Sequence, residues 1–214
     1  MTDEAPLREE RAAVSRLGRR LLRDGLTVST GGNVSARTGD AVAVSPSGIP
    51  YGDIDPPDVP TIDVDGTQLS GDHDPSSETP MHLAIYRNRA DVGGIVHTHS
   101  PFATTFAVLG EPIPATHYLI AYVGDRVPVA GYATYGTEKL GELAVEALDG
   151  RYNACLLQNH GVVATGSTVD SAFEVALMVE YCARVHYQAR VIGEPVSLST
   201  DRMDRLLELF EGYV

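Results

Sequence analysis

Two histidines stand two residues apart in an apolar stretch, residues 95–99 (IVHTH). In a β-strand, residues i and i+2 point to the same face, so His97 and His99 can approach the same point. A third histidine, His160, follows a second apolar run and precedes a glycine. Three neutral imidazoles around one ion leave a coordination position open, which is typical of catalytic zinc rather than of a structural site. The pattern predicts a metalloenzyme.

A single histidine is more often structural than a metal ligand, but the pair changes this balance. Two imidazoles on one face of an apolar strand need partners for their ring nitrogens, and a metal ion serves both. The remaining four histidines lack this setting, and they are His73, His82, His117 and His186. Two of them, His82 and His186, fall on predicted helices, where a surface or core position is expected.

Glu78 is the candidate carboxylate, because it lies at a predicted helix start between two serines and Pro80. A glutamate in the first turn commonly interacts favourably with the helix dipole. Beside a metal ion, the same side chain could ligate the ion at rest and move a proton during turnover. The local sequence favours neither interpretation.

Three short segments combine hydroxyl side chains or glycine with a turn or a helix start: residues 30–33 (TGGN), 47–48 (SG) and 76–77 (SS). Backbone N–H groups in such turns form anion-binding nests, and a helix N-terminus adds a partial positive charge. None of the segments contains Lys or Arg. Each alone is typical of an ordinary turn, but together with the histidines they predict a phosphate cradle built from neutral donors.

The composition disfavours two classes of partner. Among 214 residues, 29 acidic and 16 basic residues give a formal charge of −13, which disfavours nucleic acid and anionic membranes.

No apolar run approaches the ~18 residues of a membrane span, and the N-terminus lacks the pattern of a signal peptide. Cys155 and Cys182 are expected to be reduced core residues. We therefore expect a cytoplasmic protein.

The elements that would position these residues alternate between helix and strand, which predicts a single layered α/β domain. We expect residues 161–164 to continue the buried strand 153–158 past a kink. Helices are expected over residues 7–23, about 79–89, 101–109, 137–148, 168–192 and 201–210, and the histidine strand over 93–99.

The motifs and their order resemble the class II aldolase/adducin family. The likeness spans nearly the whole chain, and residues 113–124 look most like the branch that acts on L-fuculose 1-phosphate. The motifs are GGNVS (31–35), SPSGIPY (45–51), SSExxxH (76–82), HxH (97–99), IPAxHY (113–118) and QNHG (158–161).

The resemblance implies a single three-layer α/β/α domain over residues 1–214, with a mixed, mostly antiparallel central sheet and a mobile tail from about residue 200. It also implies one Zn²⁺ per subunit, held by His97, His99, His160 and Glu78, with Glu78 as the acid/base. The residues it implies for binding the substrate phosphate are Thr30, Gly32, Asn33, Ser47, Gly48, Ser76 and Ser77.

By the same resemblance, Tyr118 is catalytic and reaches the site of a neighbouring subunit. A homotetramer with active sites at its subunit interfaces is therefore implied. Phe210 and Tyr213 match aromatic residues of the tail, which covers the pocket in the family.

The implied reaction is zinc-dependent retro-aldol cleavage of a ketose 1-phosphate, with L-fuculose 1-phosphate giving dihydroxyacetone phosphate and L-lactaldehyde. Imine chemistry is disfavoured, because the only lysine, Lys139, lies on a polar helix face. Two alternatives stay open. One is a sugar-phosphate 4-epimerase, decarboxylase or dehydratase on the same zinc site. The other is a non-catalytic, adducin-type interaction module, but such relatives typically lose the histidines that are present here.

Overall fold

A computed structural model describes residues 7–210, which form six α-helices and one eight-stranded sheet. The helix boundaries agree with the sequence-based expectations to within two residues. The helices are α1 Arg8–Arg23, α2 Thr79–Asn88, α3 Pro101–Leu109, α4 Glu138–Leu148, α5 Val169–Ile192 and α6 Thr200–Phe210. The strands are β1 Asn33–Thr38, β2 Ala41–Val44, β3 Thr61–Asp63, β4 Gln68–Ser70, β5 Gly94–Thr98, β6 Val129–Ala130, β7 Ala154–Leu157 and β8 Gly161–Gly166.

The strands are ordered β4-β3-β2-β1-β5-β8-β7-β6 across the sheet. Every neighbouring pair is antiparallel except β6 and β7, which are parallel. The mixed, mostly antiparallel sheet implied by the resemblance is therefore confirmed. The histidine strand β5 lies at the centre, where β1 and β8 flank it.

Helices cover both faces of the sheet, because successive strand residues point to opposite faces and both sets are apolar. In β8, Val162 and Ala164 pack with α1, α3 and α5, whereas Val163 packs with α2 and α4. The result is the three-layer α/β/α arrangement. Since both faces are covered, polar side chains at the strand ends are fixed by packing from two sides.

Side-chain caps explain where two of the helices begin. Thr168 precedes α5, and its hydroxyl accepts a hydrogen bond from the backbone N–H of Ser171. Thr137 precedes α4 and accepts from the backbone N–H of Leu140 in the same way. Both helices begin within one residue of the position that the sequence predicted.

The segment between β7 and β8 differs from expectation. The two strands pair antiparallel, and Leu157 lies opposite Gly161, so the chain reverses there instead of continuing past a kink. Asn159 takes a left-handed conformation with φ of 56°, which asparagine tolerates better than most residues. The prediction of one kinked strand was wrong because two apolar runs separated by three polar residues do not reveal the direction of the second run.

Helix α6 covers the start of the predicted tail, and its Met203 is buried. Phe210 lies at its end, while Tyr213 lies outside the described residues, so the mobility of the tail stays a prediction. Among the helices of residues 7–210, none is long and apolar enough to span a membrane.

Candidate active site

The histidine pair lies at the end of the central strand β5. His97 is fully buried and pairs in register with Asn33 of β1, while His99 follows the last strand residue. The two Nε2 atoms lie 3.0 Å apart. The expectation that the i and i+2 imidazoles approach the same point therefore agrees with this geometry.

Two further side chains join the pair from distant parts of the chain. His160 comes from the turn between β7 and β8, and Glu78 from the residue that precedes α2. Glu78 Oε2 lies 3.0 Å from His97 Nε2, and Glu78 Oε1 lies 3.4 Å from His160 Nε2. One ligand atom from each of the four residues lies within 4.8 Å of all the others.

This cluster fits a divalent metal ion. Ligands about 2.0–2.1 Å from a tetrahedral ion lie about 3.3 Å from one another, close to the separations found here. His97 Nδ1 donates to the carbonyl of Val162 over 2.7 Å, so a neutral ring directs its Nε2 lone pair into the cluster. Glu78 Oε1 is buried and accepts no hydrogen bond from the described residues. These four residues could therefore hold a metal.

Burial and mutual charge set the protonation of the cluster. Burial, together with repulsion from His97 when that ring is protonated, lowers the pKa of His99 and of His160 to about 4. Burial alone would raise the pKa of Glu78, but His97 and His160 hold it well below its usual value. Burial alone would lower the pKa of His97, but the Glu78 carboxylate and the Val162 carbonyl together raise it above its usual value. A neutral His99, a neutral His160 and an ionised Glu78 are the forms that bind a metal.

Glycines let the backbone approach the histidines closely. A Cβ on Gly161 would lie 2.3 Å from the carbonyl oxygen of Thr98 and 3.0 Å from the His99 ring. A Cβ on Gly31 would lie 2.8 Å from His99 Nδ1. Any larger residue at either position would force these neighbouring atoms to shift.

The three hydroxyl- and glycine-containing segments meet beside this cluster. An isolated bridge between Pro46 and Pro75 joins the second segment to the third. The Tyr51 hydroxyl donates to the carbonyl of Gly32 over 2.8 Å, which joins the first segment to the turn that follows the second. Asn33 Nδ2 donates to Glu78 Oε2 over 2.9 Å and so connects the first segment to the helix start.

Most of the residues expected to bind phosphate are accessible. Thr30, Ser47, Gly48 and Ser77 are exposed, whereas Gly32 and Ser76 are half-buried. Gly32 and Gly48 have positive φ values of 70° and 71°, which only glycine adopts readily. Asn33 differs, since it is buried and its side chain is bonded to Glu78 and His82. Phosphate binding by these residues stays a prediction.

A buried chain of polar side chains behind Glu78 was missed by the sequence analysis. Asn33 Oδ1 lies 2.6 Å from His82 Nε2, and His82 Nδ1 lies 2.6 Å from the Ser35 hydroxyl. The Ser35 hydroxyl lies 2.8 Å from the hydroxyl of Tyr86. The sequence predicts only a core or surface position for His82, yet this residue follows Glu78 by four positions, the spacing of neighbours on one helix face. That spacing was the available signal.

Tyr118 and Phe210 lie together, away from the contacts of the cluster. Tyr118 is 51% exposed, and its ring centroid lies 4.9 Å from that of His117 and 6.4 Å from that of Phe210. Within residues 7–210, no hydrogen bond or ring contact recorded for Tyr118 joins it to the metal-binding cluster. A catalytic role for Tyr118 would therefore fit a contribution to another subunit.

Comparison with known proteins assigns the chain to a family. The sequence profile described as "Class II Aldolase and Adducin N-terminal domain" matches residues 12–187. A 5-deoxy-D-ribulose 1-phosphate aldolase of Bacillus thuringiensis is 44% identical over 209 residues, which cover 97% of this chain and 98% of that protein. An L-fuculose phosphate aldolase of Escherichia coli is 38% identical over 195 residues, 90% of each chain.

Solved structures agree with these sequence matches. The structure of an L-fuculose 1-phosphate aldolase superposes with a TM-score of 0.92 at 40% identity and covers 95% of this chain and 96% of that chain. The likeness therefore covers nearly the whole length of both chains.

Proposed function

The chain belongs to the class II aldolase and adducin family and is a metal-dependent aldolase, a carbon–carbon lyase, and we propose that it cleaves a ketose 1-phosphate at a zinc site. The observation that carries the proposal is the cluster of Glu78, His97, His99 and His160 at one end of the central strand. A complete donor set argues against a non-catalytic, adducin-type module.

The names of the relatives suggest the type of substrate. L-Fuculose 1-phosphate and 5-deoxyribulose 1-phosphate are both ketose 1-phosphates whose terminal carbon bears no hydroxyl group. Cleavage would give dihydroxyacetone phosphate from both, with L-lactaldehyde from the first and acetaldehyde from the second. The chain is 44% identical to the 5-deoxyribulose 1-phosphate aldolase and 38% identical to the fuculose phosphate aldolase. This difference adds 5-deoxyribulose 1-phosphate as a candidate substrate beside L-fuculose 1-phosphate.

The proposed mechanism divides the work among the residues of this chain. A bound Zn²⁺ would supply Lewis-acid stabilisation of the negative charge that develops on the substrate carbonyl oxygen. The Tyr118 hydroxyl of the adjacent subunit would accept the proton of the C4 hydroxyl group, and would pass its own proton to solvent, as the C3–C4 bond breaks. Glu78 would take up one proton from solvent and deliver it to C3 through Oε1, which has no competing hydrogen bond among the described residues. One proton therefore leaves and one enters in each turnover. The three segments around Gly32, Gly48 and Ser76 would hold the phosphate with neutral donors.

A coupled assay tests this proposal. Purified, zinc-loaded protein is given L-fuculose 1-phosphate or 5-deoxyribulose 1-phosphate, and released dihydroxyacetone phosphate is reduced by a dehydrogenase that consumes NADH. We expect NADH oxidation with at least one of the two ketoses and none with the His160→Ala variant. Product analysis that finds an epimerised, decarboxylated or dehydrated sugar phosphate without dihydroxyacetone phosphate would instead support the alternative reactions and overturn the aldolase assignment.

The homotetramer and the cytoplasmic location stay predictions of this proposal.

A further inference from the structure

Four buried polar side chains form a continuous path that ends at Glu78. Ser35, His82, Tyr86 and Asn33 are each at most 3% exposed. They come from strand β1 and helix α2, so the path crosses the contact between these two elements. Buried polar groups are expensive unless they are paired, so a path of this length requires an explanation.

The chemistry of the donors determines the direction of every hydrogen bond in this path. An ionised carboxylate only accepts, so the amide nitrogen of Asn33 must face Glu78 and its oxygen must face His82. His82 Nε2 therefore carries the proton. Because burial lowers the pKa of His82 to about 3, the ring is neutral and its Nδ1 accepts from Ser35.

The remaining bond follows from the same reasoning. The single hydroxyl proton of Ser35 is used toward His82, so the hydroxyl of Tyr86 must donate to Ser35. Burial raises the pKa of Tyr86, which keeps this proton in place. All four bonds consequently run one way, from Tyr86 through Ser35, His82 and Asn33 to Glu78.

This direction fixes the orientation of the Glu78 carboxylate. Asn33 holds Oε2, while Oε1 accepts no hydrogen bond within the described residues and lies 3.4 Å from His160 Nε2. An amide N–H is not an acid near neutral pH, so the path cannot deliver a proton to Glu78. Its effect must be positional: a reversed Asn33 amide would direct an oxygen at the carboxylate.

We propose that His82 is a positioning residue, which acts through Asn33 to hold the Glu78 carboxylate in the orientation that binds the metal. The inference depends on the proposed function in one respect, namely that the cluster binds a metal ion. Partners that orient metal ligands commonly contribute about 10- to 100-fold in metal affinity.

Zinc affinity of the full-length protein, measured by competition with a chromogenic chelator in the absence of substrate, provides the test. We expect His82→Leu to weaken zinc binding by about 10- to 100-fold, because it leaves the Asn33 oxygen without a donor. His82→Gln should retain most of the affinity, since its amide nitrogen can replace Nε2 as the donor. His186→Leu on α5 is the matched control, because this buried histidine bonds the Thr116 hydroxyl and no residue of the cluster, so zinc affinity should stay unchanged.

A double-mutant cycle separates action through Asn33 from a general loss of structure. Once Asn33→Ala is present, adding His82→Leu should cause no further loss of zinc affinity. Fully additive losses would overturn the proposal, as would equal losses in His82→Leu and His82→Gln. Thermal unfolding of the metal-free variants shows whether each is folded.

Ser35→Ala keeps the proposal testable if His82→Leu does not fold, because it removes only a hydroxyl group. We expect a decrease in zinc affinity of about 2- to 10-fold, equivalent to one hydrogen bond. Unchanged affinity in Ser35→Ala would contradict the directional path. Since no sugar phosphate is present, failure of the proposed substrates would not affect this result.

Discussion

The two carboxylate oxygens of Glu78 have different environments, and this difference explains how one residue could serve two roles. Oε2 accepts from Asn33, whereas Oε1 accepts no hydrogen bond from the described part of the chain. The cationic neighbours keep the pKa of the carboxyl low, so the residue is ionised when it meets a metal. A sequence-based interpretation as a helix-start glutamate would not require any of these contacts.

At this scale the sharpest test is Glu78→Gln. The amide keeps the size and a ligating oxygen but cannot exchange a proton, so turnover should decrease by about 10²-fold or more while bound zinc is retained. The measurements are kcat and zinc content per chain. Glu146→Gln, an exposed change on α4, is the control. Normal turnover in Glu78→Gln would reduce the residue to a helix-start position.

Metal removal tests the cluster as a unit. Incubation with a chelator, followed by its removal, should abolish cleavage, and added zinc or cobalt should restore it, because three imidazoles and a carboxylate suit either ion. Initial rates before and after reconstitution provide the measurement. Full activity in protein that contains much less than one metal ion per chain would be incompatible with the proposed mechanism.

At the scale of elements, α5 fixes the helix that follows the histidine strand. Helix α3 begins at Pro101, and Ser100 makes no side-chain cap. The carboxylate of Glu180 on α5 accepts instead from the backbone N–H groups of Phe102 and Ala103, over 3.0 and 2.9 Å. Because α3 starts two residues after His99, this contact also helps to hold the end of the strand.

Glu180→Ala should therefore destabilise the protein by about 1–2 kcal/mol, the usual effect of losing an N-terminal cap with partly buried N–H groups. Urea unfolding of the metal-free protein measures this change. Glu174→Ala is the control on the same helix, since its ion pair with Arg20 is 4.0 Å long and half-exposed. Equal stability of the two variants would show that water replaces the cap at no cost.

For the whole molecule, the position of Tyr118 connects the site to assembly. Its ring is half-exposed beside Phe210, and its recorded contacts within residues 7–210 do not include the metal-binding cluster. A catalytic tyrosine at such a position requires a second subunit to complete each site. The proposed tetramer would provide it.

Subunit mixing tests this arrangement. Tyr118→Phe and Glu78→Gln homotetramers should each be nearly inactive, but co-expression in equal amounts should restore about one quarter of wild-type activity, because random assortment gives that fraction of intact sites. Light scattering should report four times the mass of one chain. If the mixture is as inactive as its parents, Tyr118 does not act across a subunit interface. Tyr187→Phe, at another exposed tyrosine, should stay active.

Sequence periodicity was sufficient wherever the relevant geometry is local. The i and i+2 spacing of His97 and His99 follows from the strand itself, and the caps at Thr137 and Thr168 involve residues only three positions away. Apolar runs bounded by such signals also indicated the helices and the layered α/β class. These features depend on residues that are only a few positions apart, so they could be predicted from the sequence.

The tertiary structure alone decided features that join distant segments. His160 and Glu78 are 82 positions apart, and only the antiparallel reversal at Asn159 and the docking of α2 place them 3.4 Å from one another. The contacts of His82 could not be predicted for the same reason, since its partners Asn33 and Ser35 lie on a strand more than 40 residues away. Such contacts depend on strand order and helix packing, and neither the spacing nor the chemical type of a residue determines them.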